Sequence, residues 1–491
     1  MGKGYIVGAG PGDIGLISIK GLELIKKANV ILYDRLVDKN LLAYANKNCK
    51  LIYVGKSSTT GGETQKWINE VFAEETKKNE IALRLHGGDP FLFGRGSEEI
   101  DELIENELEY EVIPGISSSF AVATYGGIPV TKRGLSSSLH IFTARSNGGD
   151  LGLDFSLMSK IKGTITILMG IGVINEITLG LIKEGMAKET PVSVIQEGTT
   201  INQKAILGNL ENISALVEEN KIQAPGIIII GGTASLLGKY DWFTKKEFFG
   251  KRIVFTRDKD SFLRSSKVFE DTGAKTIAFP MIELKTDFSV LTEEFYRDVE
   301  NFDFISFNSP KAVNSFFEGL EILNLDSRIL KNTQIIVMGS GTKEELSKYF
   351  LRSDFIPKEY SVQSLLTEIR NTFGENKKVL LLSSDIHGRD QEELSKLYNL
   401  EIKIKSIYKN FSIKYTKEEV LENLRENDYL IFLSASAVDS FKNNTKDIDI
   451  SKYKFVSIGP MTSKALIKNN LPVDFEAETY SLEGIRRAIR S

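Results

Sequence analysis

The stretch GPGDIG, Gly10 to Gly15, has the glycine spacing of a turn that lets backbone approach a nucleotide pyrophosphate. It follows the apolar run YIVGA, and VILYDRL then reads as a second strand ending in Asp34, where a ribose-binding acid would stand. Two residues oppose a dinucleotide site. Pro11 has no N–H to offer a phosphate, and Asp13 adds negative charge where phosphate charge would sit. Two further stretches read as binding loops. In LRLHGGDPFLFGRG, Gly87 and Gly88 follow a strand and are locked by Asp89-Pro90, while Gly94 and Gly96 flank Arg95. In VIPGISSSFAVATYGGIPVTKRG, Pro114-Gly115 ends a strand and Ser117-Ser118-Ser119 starts a helix.

The elements that must carry these loops are short β-rich runs alternating with amphipathic helical patterns from end to end, which predicts an α/β protein. The polar stretch TKKEFFGKR precedes a fresh strand, IVFTRD, and places a domain boundary near Lys245 to Lys251. The second half repeats itself. FISFNSPKAVNSFF aligns with YLIFLSASAVDSF, matching Ser309 to Ser434, and IIVMGSGTKEEL aligns with FVSIGPMTSKAL, matching Thr342 to Thr462. The spacing is too long for a solenoid and predicts two similar α/β lobes. A single hydroxyl residue at a helix start reads first as a cap. Four at matched positions point to an anionic ligand held between the lobes.

Composition narrows the classes. A chain of 491 residues requires more than one core. With 62 Lys and Arg against 66 acids, a net charge of -4, and no long run of either sign, neither nucleic acid nor a membrane is an expected partner. Cys49 is the only cysteine and the three histidines are dispersed, so no disulfide framework or structural metal site is expected. No secretory signal pattern or long apolar window is present, which makes cytoplasmic the expected location. Gly2 lacks the downstream hydroxyl of a myristoylation signal, position 6 being Ile.

Taken together and in order, VGAGPGD, VILYDRLV, VGK, RLHGGDPFLFGRG, VIPGISSS and YGGIPVTKRG closely resemble the uroporphyrinogen-III C-methyltransferases over residues 1–245. The resemblance implies a tetrapyrrole-methylase-type domain of two α/β subdomains with a cleft, S-adenosylmethionine as methyl donor, and a homodimer. It places Pro11, Gly87, Gly88, Asp89, Leu92, Ser117, Ser118, Met169 and Gly198 around the cofactor, with Asp34 and Lys56 as catalytic residues. Methylation at a pyrrole-type carbon leaves positive charge on the ring and then requires loss of a proton, so a carboxylate suits. Without the resemblance, Asp34 and Lys56 read as solvated charges at strand ends, and Leu92 and Met169 as core. The chain departs from the family pattern at His86 (usually Lys), at Ser117-Ser118 (often Thr-Ala) and at Lys132 (usually His). His86 receives no role, and Lys132 with Arg133 keeps positive charge for an octacarboxylate substrate.

Residues 251–491 more weakly resemble uroporphyrinogen-III synthase, through VFTRD, FNSPKAVNSFF, VMGSGT, SIYKN, FLSASAVDSF and SIGPMTSKAL. This resemblance implies two lobes with the chain crossing near 280–285 and 405–410, and ring closure of hydroxymethylbilane without a cofactor. It offers Tyr408 as the acid, with Ser309, Thr342, Ser434 and Thr462 binding substrate; Tyr408 reads equally as a structural hydrogen-bonding tyrosine. The combined expectation is a bifunctional enzyme that makes uroporphyrinogen III and methylates it twice to precorrin-2, on the sirohaem and cobalamin branch. Two other readings stay open: a methyltransferase fused to a non-catalytic tetrapyrrole-binding module, and a nicotinamide oxidoreductase resting only on the opening glycines and Asp34.

Overall fold

The computed structural model describes residues 2–55, 65–144, 151–359, 361–384 and 391–490. The first apolar runs become strands β1 (Lys3–Gly8), β2 (Val30–Tyr33), β3 (Lys50–Tyr53), β4 (Ile81–His86) and β5 (Glu109–Ile113). They form one parallel sheet in the order β3-β2-β4-β1-β5. Both faces are covered. Ile6 and Val7, adjacent on β1, enter two different apolar clusters, with Phe72 on one side and Ile25 on the other. This is why the strands read as near-continuous apolar runs.

A second sheet takes β6 (Leu139–Thr143), β7 (Thr164–Leu168), β8 (Pro191–Gln196), β9 (Lys204–Asn209) and β10 (Gly226–Ile230) in the order β6-β7-β10-β8-β9. Strand β10 runs antiparallel to both β7 and β8, so the loops that follow β7 and β8 leave the sheet at one edge. In the GIIII run of β10, Ile228 and Ile230 pack into one cluster and Ile227 and Ile229 into another. The helix Ser118–Tyr125 lies between the sheets. Gln203 Nε2 donates to the carbonyl of Tyr125 at 3.0 Å, and the Tyr125 ring packs edge-on against Trp242 and Phe243.

The second half holds β11 (Arg252–Phe255), β12 (Lys275–Ala278), β13 (Ile282–Thr286), β14 (Phe304–Phe307), β15 (Gln334–Val337) and β16 (Lys378–Ser383). It continues with β17 (Glu401–Ser406), β18 (Tyr408–Ser412), β19 (Tyr429–Phe432), β20 (Lys454–Ser457) and β21 (Phe475–Glu476). Two parallel sheets result, β12-β11-β19-β20-β21 and β15-β14-β16-β17. Between them β13 and β18 pair antiparallel, from Ile282 opposite Ser412 to Thr286 opposite Tyr408. The chain leaves the first lobe along β13 and returns along β18.

Contacts tie these bodies together. Asn40 Nδ2 donates to the Thr276 carbonyl at 2.6 Å and Lys275 pairs with Asp38, joining the segment after β2 to β12. Arg264, on the helix Lys259–Glu270 of the first lobe, pairs with Glu345, on the helix Ser340–Ser347 of the second. Among the described residues no helix is long and apolar enough to cross a membrane.

Candidate functional site

The GPGDIG loop turns sharply because Gly10 and Gly12 take left-handed φ of 82° and 146°. Three of its donors are engaged. Gly10 N–H donates to the Gly88 carbonyl (3.3 Å), Asp13 N–H to Thr199 Oγ1 (3.2 Å) and Gly15 N–H to Asp13 Oδ1 (2.8 Å), while Pro11 has none to give. A short 3-10 turn, Ile14–Leu16, follows in place of the long helix of a dinucleotide fold. Asp13 Oδ2 accepts from Tyr125 at 2.8 Å; burial and then the Asp13 charge push the Tyr125 phenol upward, keeping it a donor. The loop thus links the first sheet to Thr199 and Tyr125 through Asp13, and with Pro11 and an acid in the turn it suits a pyrophosphate poorly.

Behind it the ends of β1, β4 and β5 come into backbone contact. A Cβ on Gly8 would meet Gly115 Cα at 2.4 Å and the Gly88 carbonyl at 2.6 Å, so only glycine permits this crossing. Asp89 staples it. Its Oδ1 accepts from Phe91 N–H (2.8 Å) and Leu92 N–H (3.1 Å), and its Oδ2 accepts from Gly115 N–H (2.9 Å). Gly88 has φ of 73° and faces the Ser118 N–H, 3.9 Å from where its Cβ would be. The Ser117 hydroxyl caps that helix through Ser119 N–H and lies 2.9 Å from Ser119 Oγ.

On the facing edge Met169 follows β7 with φ of 57° and is 45% exposed, while Gly198 follows β8 and touches Val122. Phe91, Phe93 and Leu36 are also exposed around the glycines, and Leu92 is half-buried. Met169 is therefore not core. This rim of apolar side chains and neutral backbone fits a sulfonium nucleoside better than a polyphosphate.

Asp34 stands at the end of β2. Its Oδ1 accepts from Leu36 N–H at 2.9 Å and its Oδ2 lies 3.3 Å from Arg84 Nη2. Arg84 Nε in turn meets Glu99 Oε1 at 2.9 Å, and Glu99 Oε2 meets His86 Nε2 at 2.6 Å, all three side chains being buried. Burial pushes Glu99 upward, but His86 and Arg84 outweigh it and hold the carboxyl below its ordinary range. An ionised Glu99 only accepts, so His86 Nε2–H donates to it. Arg84 and Glu99 escaped sequence reasoning, although a charge in the middle of the apolar IALRLH strand was a signal. Lys56 lies outside the described residues. Lys132, beside Tyr240, Trp242 and Pro129, lines a cavity of about 540 Å³ and donates to Tyr240 Oη at 2.8 Å.

In the second half, Ser309, Ser434, Thr342 and Thr462 all follow the carboxyl ends of strands, two in each lobe. Ser309 Oγ caps the helix Pro310–Ile322 through Ala312 N–H (3.1 Å) and lies 2.9 Å from Tyr408 Oη, at the start of β18. Ser434 Oγ caps Ala435–Asn444 through Ala437 N–H and lies 3.1 Å from Ser436 Oγ. Thr342 and Thr462 are buried in the first turns of their helices, and Thr342 donates to the Met338 carbonyl at 3.1 Å. Ser309 and Tyr408 are thus in direct contact. The other three are placed by their own helices.

A model of the Tetrapyrrole (Corrin/Porphyrin) Methylases matches residues 3–214, and one of Uroporphyrinogen-III synthase HemD matches residues 264–486. The chain is 35% identical over 479 residues to Porphyrin biosynthesis protein HemD of Ruminiclostridium josui, covering 96% of this chain and 95% of that one. It is 38% identical to Uroporphyrinogen-III C-methyltransferase of Bacillus subtilis, over 70% of this chain and 71% of the relative. A solved Uroporphyrin-III C-methyl transferase from Thermus thermophilus, complexed with S-adenyl homocysteine, aligns over 48% of this chain and 100% of its own, at 32% identity and a TM-score of 0.42. With both segments matched in one polypeptide and nearly all of it aligned to a single relative, the chain belongs to the family that joins a uroporphyrinogen-III C-methyltransferase to a uroporphyrinogen-III synthase.

Proposed function

We propose that the protein closes hydroxymethylbilane to uroporphyrinogen III with residues 251–491 and methylates that product twice, to precorrin-2, with residues 1–245. The observation that carries the methyl-transfer reading is the pairing of Asp34 with Arg84 on the sheet that also carries a glycine loop in which Pro11 has no N–H and those of Gly10, Asp13 and Gly15 are engaged. Such a site orients one acid toward a ring and has no seat for a dinucleotide.

S-adenosylmethionine supplies an electrophilic methyl group, and its site is assigned to Pro11, Gly87, Gly88, Asp89, Leu92, Ser117, Ser118, Met169 and Gly198. Asp89 acts there by shaping the backbone, since both its oxygens hold N–H groups. The Asp34 carboxylate, held in place by its Leu36 and Arg84 contacts, stabilises positive charge on the methylated ring and accepts the proton the ring must lose. Lys56 is assigned to pair with a substrate carboxylate or return a proton.

Ring closure needs a hydroxyl to leave and the bilane ends to meet. Tyr408 Oη donates the proton that turns the departing hydroxyl into water, and Ser309 Oγ, 2.9 Å away, orients that phenol. Ser434, Thr342 and Thr462, with their helix starts, receive acidic side chains. Through its first half the protein is proposed to pair with a second copy; light scattering should give a mass near twice 54.8 kDa.

The deciding experiment is an anaerobic incubation with fresh hydroxymethylbilane, with and without S-adenosylmethionine, read by isomer-resolving chromatography and mass spectrometry. Isomer III without donor and a doubly methylated product with it are expected. Isomer I alone would reduce residues 251–491 to a binding module, and no methylation of supplied uroporphyrinogen III would overturn the first-half assignment.

A further inference from the structure

The first lobe contains a topological switch point. From β11 the chain moves outward to β12, whereas from its neighbour β19 it moves the opposite way, to β20 and β21. The loops leaving β11 and β19 therefore diverge and open a crevice at the carboxyl edge of the sheet, the position where parallel α/β sheets take ligands. The bases of the two loops are tied, since Thr256 gives both its N–H (3.3 Å) and its hydroxyl (2.7 Å) to the Ile431 carbonyl. One loop continues into Arg257 and the other into Ser434.

Arg257 is half-buried, and its pairing differs from that of two other arginines packed against strands. Arg84 meets Glu99 and Arg252 meets Asp428, each at salt-bridge distance. For Arg257 no ion pair is present among the described residues. Its Nη1 donates to Ser265 Oγ at 2.8 Å, but its Nε is buried and meets no acceptor. Two acids among the described side chains are engaged elsewhere: Asp258 Oδ1 caps the following helix through Ser261 N–H, and Glu345 holds both Arg264 and Lys348. Burial pushes the guanidinium downward, Asp258 opposes this, and the positive charge of Arg264 adds to it. A half-buried guanidinium whose buried Nε–H has no acceptor is costly unless something supplies one. The Arg264–Glu345 pair closes the two lobes over the same helix, so the group that completes Arg257 enters with the cleft.

We propose that Arg257 is an anion-binding residue of the first lobe, taking a carboxylate of the polycarboxylate substrate at the β11/β19 switch point. The substrate class rests on the ring-closure reading above; the anion site rests on the geometry alone. Arg257 holds one acidic arm through the guanidinium N–H groups that its Nη1 contact with Ser265 leaves free, a planar edge that matches a carboxylate. Ser434, on the other side of the crevice, faces the same arm or its neighbour.

The test compares full-length wild type with Arg257→Met and Arg257→Lys. Thermal unfolding is recorded with and without uroporphyrin, a stable octacarboxylate, and KM for hydroxymethylbilane is measured by isomer III formation. Without ligand, Arg257→Met should unfold at the wild-type temperature or above, because a buried N–H without an acceptor is removed together with a half-buried charge. Its KM should rise about tenfold or more and the stabilisation by uroporphyrin should shrink, with partial recovery in Arg257→Lys and no change in methylation of supplied uroporphyrinogen III. Unchanged KM and unchanged uroporphyrin stabilisation in Arg257→Met would overturn the proposal. So would a lowered unfolding temperature without ligand that Arg257→Lys restores, since that marks a structural role. If the wild type forms no isomer III yet uroporphyrin stabilises it through Arg257, the ring-closure reading falls and the anion site stands.

Discussion

Glu99 Oε2 lies 2.6 Å from His86 Nε2, deep beneath the loop that carries Asp34. The same carboxylate holds Arg84, whose other end reaches Asp34, so one buried acid fixes the geometry of a half-buried one. Removing Glu99 would leave two cationic or polar groups buried without it. Glu99→Ala should cost the methyltransferase half about 3–5 kcal/mol, read as the shift of its transition in chemical denaturation. A change within about 0.5 kcal/mol would show that the network adds nothing.

The same pair sets an acid limit. Because Glu99 titrates lower folded than unfolded, its stabilisation is complete above the ordinary glutamate value of 4.5 and is lost as pH falls through the depressed folded value. Denaturation midpoints measured from pH 6 down to pH 3, taken as about the carboxylate range, should fall more steeply in wild type than in Glu99→Gln. Parallel curves would contradict the linkage.

Arg84→Lys keeps the charge but loses the fork that spans Glu99 and Asp34. The expected outcome is a lower kcat for methylation with KM for S-adenosylmethionine little changed, and unaffected ring closure. Equal losses in both activities would point to unfolding instead of misplacement.

Asp34→Ala should slow methylation by about 10²–10⁴-fold while leaving isomer III formation intact. Single-turnover assays on supplied uroporphyrinogen III give the first number and chromatography from hydroxymethylbilane the second. Loss of both in a folded variant would contradict two independent sites.

Tyr408→Phe removes the hydroxyl that sits 2.9 Å from Ser309 Oγ and keeps the ring in its buried place. Ring closure should slow by about 10²-fold, the range of one general acid, and spontaneous isomer I should rise in proportion. Ser309→Ala should do less, as it touches the phenol and caps a helix. A wild-type isomer ratio in Tyr408→Phe would remove Tyr408 from the chemistry.

Much of the architecture was legible because it rests on local pattern. The apolar runs, the polar stretch before β11 and the Ser309/Ser434 echo are written in neighbouring residues, and each became a strand, a connection or a matched helix cap. The objections to GPGDIG were also local: Pro11 lacks a donor, and Asp13 turned out to accept from within its own loop. Arg84, Glu99 and Arg257 were not legible in the same way. Glu99 reaches back across 13 residues to His86 and 15 to Arg84, and Arg84 reaches 50 residues to Asp34, so no window of sequence contains the network. Arg257 reads as an ordinary polar residue after VFT. Only the reversal of strand order beside it shows where it points.

That strand order also dictates when the first lobe is able to form on the ribosome. Strands β11 and β12 emerge early, but β19, which must pair with β11, follows the whole of the second lobe. Until Tyr429–Phe432 has left the exit tunnel, β11 presents an open edge and Phe255 lacks its finished apolar shelter. Nascent chains stalled before that point would be the ones that chaperones must guard, because the first lobe waits on a strand made only after the whole of the second.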